Sequence, residues 1–474
     1  MTGPKTRVAR RHFLGGAAAA AAGAAAGINP FAALAASAAG GRPVRQAGLG
    51  EGGYGPLAPV ADLRDGVARL ALPAGFSYLG FSFEGDSMSD GNLVPKGHDG
   101  TGAFALANGN VRLIRNHEDR DSPGVSPLDG GLSAPFYDVL GPGGTTTLEV
   151  RTLGDGRSVE LVRDFVSIQG TIVNCAGGIH PPSQSWLTCE ETTAGVTQGW
   201  TKPHGYVFEV PVAADAPVSP VPLTAMGRFV HEATATDPRT GIVYETEDRG
   251  TAGFYRFVPV DSANLSAGGT LQMLAVQGKP GYDTTTGQTV GEALPVTWVD
   301  IADPDPAAAE TNSLTVFNQG LEGGGATFSR LEGAWYSDGE IFFNSTSGGD
   351  AGTGQVWNYK PNRRTGEGVV RLMFESPSDT VLSNPDNICV SPAGGVVLCE
   401  DGDLPTQYLR GLTSDGRIFD FAHEFETGRE WTGATFSPDG NILFVNIQGD
   451  LSIGGPGNLG KTFAIWGPFE TGAL

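Results

Sequence analysis

The sequence predicts an all-β fold assembled from one repeated supersecondary unit, as in a propeller or a solenoid. Three observations carry this expectation. Six times a turn leads into a short apolar strand that closes on polar or acidic residues: 109–118, 183–191, 240–248, 338–346, 393–401 and 439–448. All but the second, which has Ser-Gln in place of Gly, begin with a glycine-containing turn. Such repetition marks arrays whose units bury their apolar faces only against neighbours. Glycine (72) and proline (32) are abundant. Short strands bounded by Gly, Asp, Asn and Pro also outnumber helical patterns, which argues against alternating βαβ units.

Along the chain, residues 1–38 read as a leader. Arg7, Arg10 and Arg11 form a basic start, Arg10-Arg11-His12-Phe13-Leu14 has the twin-arginine form, an Ala-rich stretch follows, and Ala36-Ser37-Ala38 resembles a small-residue cleavage site. The chain is therefore expected to be exported through the twin-arginine machinery, a route for folded proteins that often carry a cofactor. Residues 39–72 are Gly- and Pro-rich and are expected to wrap the surface. A single β domain is expected over 73–474, starting near Leu72-Pro73-Ala74-Gly75-Phe76. From Gly109 through Gly241, Gly339 and Gly394 to Gly440 the steps are 132, 98, 55 and 46 residues. The short steps match a four-stranded blade of about 40–50 residues, and the first step spans two blades. The longer steps imply insertions, most clearly over 259–320. No segment after the leader is long and apolar enough to span a membrane.

The formal net charge is −22, and removing the leader, with Lys5, Arg7, Arg10, Arg11 and no acid, makes it −26. A surface this acidic disfavours nucleic acid and anionic membranes and suits bound cations. Five of the six strand ends are rich in carboxylate or amide: Glu118, Glu190-Glu191, Glu247-Asp248, Glu400-Asp401 and Asn446 to Gln448. The fourth ends Asn344-Ser345-Thr346, and Arg330-Leu331-Glu332 just before it is expected to take over. In a closed array these ends converge, and converging carboxylates repel unless a cation sits among them.

Histidine is scarce, at seven residues. Carboxylates must then dominate any metal centre, which favours calcium, magnesium, manganese or ferric iron. Among the four cysteines, Cys189, Cys389 and Cys399 lie in apolar runs and fit either buried thiols or a disulfide. Cys175, in Asn174-Cys175-Ala176-Gly177-Gly178, is the better ligand candidate. Asn384-Pro385-Asp386-Asn387 fits an Asx-rich turn or a source of calcium oxygens. Arg330 fits a salt bridge or a planar clamp on an anionic substrate. The chain has no nucleophile elbow, phosphate loop, dinucleotide fingerprint, zincin helix or EF-hand loop, so nucleophilic serine chemistry is not favoured.

Several motifs, in order, carry a family resemblance: Arg115-Asn116-His117-Glu118, Asn174-Cys175-Ala176-Gly177-Gly178, Trp186-Leu187-Thr188-Cys189-Glu190-Glu191, Gly227-Arg228-Phe229-Val230-His231-Glu232, Arg330-Leu331-Glu332, Pro385-Asp386-Asn387 and Trp431-Thr432-Gly433. From about residue 70 to 465 the chain resembles the bacterial PhoX alkaline phosphatases. The resemblance implies a six-bladed β-propeller with inserted loops, a ferric iron pair and calcium ions in its channel, and hydrolysis of small phosphomonoesters; the chain is expected to act as a monomer. It implies Cys175, Glu190, Glu232 and Glu332 as iron ligands, Arg330 facing the phosphate, and Glu118, Glu191, Asp386, Glu400 and Asp401 as calcium ligands. The alternatives are a calcium-dependent lactonase-like propeller and a non-catalytic metal-binding propeller.

Overall fold

The computed structural model describes residues 53–124, 135–154, 156–425, 429–450 and 459–474. The predicted leader, and residues 39–52 of the predicted wrap, lie outside them. Strands β1 (Leu57–Ala61) and β2 (Ala68–Pro73) form a hairpin, followed by β3 (Ser77–Phe81). A first antiparallel meander contains β4 (His98–Ala105), β5 (Val111–His117), β6 (Gly143–Leu153) and β7 (Ser158–Thr171). A second contains β8 (Asn174–His180), β9 (Ser185–Glu190) and β10 (Val207–Pro211). The third runs through β11 (His231–Thr236), β12 (Val243–Glu247), β13 (Phe254–Pro259), β14 (Gly269–Val276) and β15 (Ala293–Asp300). The fourth holds β16 (Leu331–Ser337), β17 (Glu340–Ser345), β18 (Gln355–Asn362) and β19 (Glu367–Glu375), and β15 pairs with β19 to join it to the third. The fifth holds β20 (Pro385–Val390), β21 (Val396–Glu400), β22 (Tyr408–Leu412) and β23 (Ile418–Glu424). The last holds β24 (Trp431–Phe436), β25 (Ile442–Ile447) and β26 (Lys461–Trp466).

The first strands of the meanders, β4, β8, β11, β16, β20 and β24, touch one another in that order, and β24 returns to β4. The architecture is thus propeller-like and nearly all-β. N-terminal β3 supplies the outer strand beside β26, tying the chain's start to its end, and β2 pairs with the outer strand β23. The insertion over 259–320 supplies β14, β15 and most of α1 (Thr315–Glu322).

Each sheet is sandwiched between two others, so both faces of its strands are apolar and packed. Every interface has its own cluster. Ile114 and Ile168 meet Trp186 and Phe208; Leu187 and Val207 meet Val243 and Phe257. Phe254 meets Phe343, and Phe342 and Phe374 meet Ile388 and Leu398. Leu409 and Phe421 meet Trp431 and Leu443, and Phe444 with Ala464 meets Leu113 and Val150.

The six repeats seen in the sequence are the second strands, β5, β9, β12, β17, β21 and β25. The first strands lie on the axis and have a different signature. Each carries a register shift in which three residues on the first strand span two on the second, as between His98 and Thr101 opposite His117 and Arg115. The same shift recurs in β8, β11, β16, β20 and β24. A β-bulge of this kind re-aims a side chain, and here it turns one side chain into the channel in each of β4, β8, β11, β16 and β20. The next residue is Gly100, Ala176, Ala233, Gly333 or Ala434 in five strands, because the axis is crowded. A Cβ on Gly100 would lie 2.6 Å from Ala176 Cα.

Candidate metal centre

At one end of the channel the bulged residues and the residues that follow the second strands form two rings. The bulges contribute Asp99, Cys175, Glu232, Glu332 and Asp386; the second strands contribute Glu118, Glu191, Asp248, Thr346, Asp401 and Gln448. Six equivalent backbone hydrogen bonds hold the second ring. The N–H groups of Glu118, Glu191, Asp248, Thr346, Asp401 and Gln448 donate to the carbonyls of Gly97, Val173, Val230, Arg330, Asn384 and Glu430, just before the first strands. Four of those residues are left-handed: Gly97 (φ 62°), Val173 (φ 49°), Arg330 (φ 46°) and Asn384 (φ 49°). A β-branched valine there is strained, and strain on the order of 1–3 kcal/mol per residue persists where a site demands the geometry.

In the sixth unit the bulge position is Gly433 (φ 61°), where a Cβ would lie 2.5 Å from both Asn446 Nδ2 and Asp99 O. The neighbouring Glu430 faces the cavity in its stead. Polar side chains on the second strands clamp the bulge carbonyls of adjacent sheets. Asn116 Nδ2 donates to Cys175 O and Ala176 O, Thr246 Oγ1 to Glu332 O, Asn344 Nδ2 to Asp386 O and Asn446 Nδ2 to Asp99 O. Cys189 and Cys399 occupy the corresponding positions in β9 and β21, which explains thiols in otherwise apolar strands. All four cysteines are free and buried, which settles the choice against a disulfide.

The resulting cavity, about 230 Å³, is lined by nine carboxylates (Asp99, Glu118, Glu191, Glu232, Asp248, Glu332, Asp386, Asp401, Glu430), with Cys175, Gln448, Arg120 and Arg330. Two guanidiniums cannot neutralise nine carboxylates. Burial, followed by the neighbouring Glu118 and Asp386, pushes Asp99 well above the carboxylate range. Burial and then Asp386 and Glu191 do the same to Glu232; burial and then Asp248 and Asp386 do so to Glu332. Asp386 is pushed up to about 8 by burial and Asp401. The Cys175 thiol is raised by burial and by Glu232, Glu191 and Asp99. Each of these shifts favours the protonated form in the absence of a cation, and a cation among the groups would favour the ionised form that ligation requires.

The donors fit metal ions. Cys175 Sγ and oxygens of Glu191 and Glu232 all lie within 4.8 Å of one another, and so do oxygens of Asp99, Glu118 and Glu430. Arg330 Nε donates to Asp248 Oδ1 at 3.0 Å, and Nη2 also bonds Glu332. Thr346 Oγ1 donates to Glu332 Oε2 at 2.8 Å.

Of the ten residues expected at the centre, eight line this cavity: Glu118, Cys175, Glu191, Glu232, Arg330, Glu332, Asp386 and Asp401. Glu190 and Glu400, contrary to the expectation from the sequence, do not. Successive strand residues point to opposite faces, so only the second member of each acidic pair faces the channel. Glu190 accepts hydrogen bonds from the N–H groups of Ile172, Gly205 and Tyr206 and from His204 Nδ1 at 2.6 Å. Burial alone would lower His204, yet Glu190 and Asp138 raise it to about 9. Glu400 accepts from Ser383 N, Tyr408 N and Arg410 Nε. Asp99, Arg120 and Glu430 were missed. For Asp99 a signal existed: His98-Asp99-Gly100 repeats the pattern of His231-Glu232-Ala233.

The sequence profile described as alkaline phosphatase PhoX matches residues 52–450. The chain belongs to the PhoX family. It is accordingly a phosphoric monoester hydrolase. Among solved structures, PhoX of Pseudomonas fluorescens in complex with vanadate, a transition state analogue, matches with a TM-score of 0.66 at 18% identity, covering 89% of this PhoX-family chain and 99% of that one. This likeness establishes the fold. The gluconolactonase XC5397 from Xanthomonas campestris is similar at 12% identity over 88% of this chain and 99% of its own, with a TM-score of 0.36. No curated protein matches.

Proposed function

We propose that this PhoX-family enzyme is an exported phosphatase that hydrolyses small phosphomonoesters at an iron and calcium cluster in the channel. The grouping of one thiol with Glu191 and Glu232, beside an oxygen-only group, is the observation that carries the reading. A thiolate with carboxylates suits a transition metal, and Asp99, Glu118 and Glu430 suit calcium. Glu332, Asp386 and Asp401 are proposed as the remaining ligands. The six contacting first strands support the six-blade count. The twin-arginine pattern in residues 1–38 supports export by that route, and no helix among the described residues is long and apolar enough to cross a membrane.

When bound, the cations supply Lewis-acid polarisation and charge neutralisation for phosphoryl transfer. The chain's own residues do the rest. The bulges present the carboxylates and Cys175, and the six backbone hydrogen bonds fix the second ring, so the ligands are preorganised. Arg330, on its left-handed backbone, holds a guanidinium at the cavity, oriented by Asp248 and Glu332. In this role it binds phosphoryl oxygens and stabilises the charge that develops on them. Elemental mass spectrometry of the purified protein and of Cys175→Ser tests the proposal. Iron with calcium in the native protein, and loss of iron with loss of phosphomonoesterase activity in the variant, is the expected result. Calcium alone, with activity indifferent to Cys175, would refute it.

A further inference from the structure

We propose that Arg120 is a second phosphate-binding residue, acting beside Arg330, and that the pair selects dianionic phosphomonoesters over phosphodiesters. This rests on the reading of the cavity as a phosphomonoesterase centre. Arg120 and Arg330 are the two cationic side chains lining the cavity, and their settings are alike. Arg120 bridges Glu118, after β5, to Glu191, after β9. Arg330 bridges Asp248, after β12, to Glu332 in β16. Each guanidinium therefore spans two adjacent sheets, Arg120 over two carboxylates of the second ring and Arg330 over one carboxylate of each ring.

They differ in what they leave free. Arg330 engages its carboxylates through both Nε and Nη2. Arg120 engages both of its partners through Nη2 alone, so its Nε and Nη1 donors make no hydrogen bond among the described residues. Its side chain is 49% exposed, whereas the carboxylates beneath it are 4% and 11% exposed. The chain's structural arginines look different. Arg410 is 2% exposed and binds Glu400 and Asp420 through Nε and Nη1. Buried Arg228 donates to His204 O, Thr193 O and Glu310. A half-exposed guanidinium, anchored by one nitrogen over an anionic floor, offers the planar fork that fits two oxygens of a phosphate. A terminal phosphate dianion offers oxygens to both arginines, whereas a diester has fewer free oxygens and half the charge.

The test compares native protein, Arg120→Ala, Arg120→Lys and Arg330→Ala, all metal-loaded. Inorganic phosphate binding is measured by calorimetry, metal content by elemental analysis, and kcat and KM with a monoester and a diester. Loss of Arg120 is expected to weaken phosphate binding about tenfold to a hundredfold and to lower the preference for monoester over diester, with metal content unchanged. Lysine, a point charge without the fork, is expected to recover only part of the affinity. Unchanged phosphate affinity in Arg120→Ala would overturn the inference. So would a loss of metal that accounts for the loss of phosphate, because Arg120 would then only hold the centre together. If the native protein binds phosphate but hydrolyses no monoester, the catalytic reading fails while the binding comparison still decides the role of Arg120. If the native protein binds no phosphate, both fall.

Discussion

Removing the cations should make the protein less stable as the pH rises, the reverse of the usual behaviour of exposed carboxylates. The Asp386 carboxyl, ordinarily at 3.8, is held at about 8 by burial and by Asp401. Its folded pKa is thus raised. Its contribution to stability is complete below about pH 4 and is lost as the pH rises through about 8. Some three units of that span lie between pH 5 and 8, which at 1.36 kcal/mol per unit is on the order of 4 kcal/mol. Total stability is typically about 5–15 kcal/mol, so a change of this size, shared between Asp386 and the neighbouring Asp401, is a large fraction of it. With an unfolding entropy near 2.1 cal/mol/K per residue over a chain of this length, the loss corresponds to a Tm decrease of roughly 4 °C. Asp99, Glu232, Glu332 and Glu430 are raised in the same direction and deepen the effect. Cations require the ionised forms, so their binding tightens over the same window. Differential scanning calorimetry of chelated and metal-loaded protein from pH 5 to 9 reads both trends. The gap between the two Tm values should widen with pH. A chelated protein whose Tm is flat or rises between pH 5 and 8 would refute this reasoning.

Three further outcomes follow from the geometry. Glu191→Gln should lose metal and activity with little change in the fold, whereas Glu190→Gln should keep its metal and lose about 2–4 kcal/mol of stability, because it disrupts a buried network with His204 and three backbone N–H groups; denaturant melts with metal analysis separate the two. Gly433→Ala, which puts a Cβ 2.5 Å from Asp99 O at a φ of 61°, should cost about 1–3 kcal/mol and weaken calcium binding, read by melts with and without calcium. Arg330→Ala should reduce kcat about 10²–10³-fold in steady-state assays, as does removal of one preorganised donor to transition-state charge, with the metals retained.

The sequence displayed the second strands openly, because each combines a turn signal with an apolar run and an acidic end. It hid the first strands. Residues such as Gly100, Ala176 and Gly333 are small because the axis leaves no room, and small residues carry no periodicity. Glu190 and Glu400 were misplaced because adjacent acids look equivalent in a sequence, yet a strand sends them to opposite faces. Parity would have separated them: the residue after each second strand, such as Glu118 or Asp401, faces the channel. Asp99 was legible by the same logic, since it stands where Cys175, Glu232, Glu332 and Asp386 stand. Arg120 and Glu430 lie in connections outside the repeat, and only the folded chain brings them to the cavity.

Anomalous diffraction from crystals of the purified protein, collected at the iron edge and at a longer wavelength for calcium, locates each metal against its ligands. Iron should sit within bonding distance of Cys175 Sγ, Glu191 and Glu232, with calcium among Asp99, Glu118 and Glu430. A cavity without iron, or iron beside Glu190 and His204, would contradict the reading of the two rings as an iron and calcium phosphatase centre.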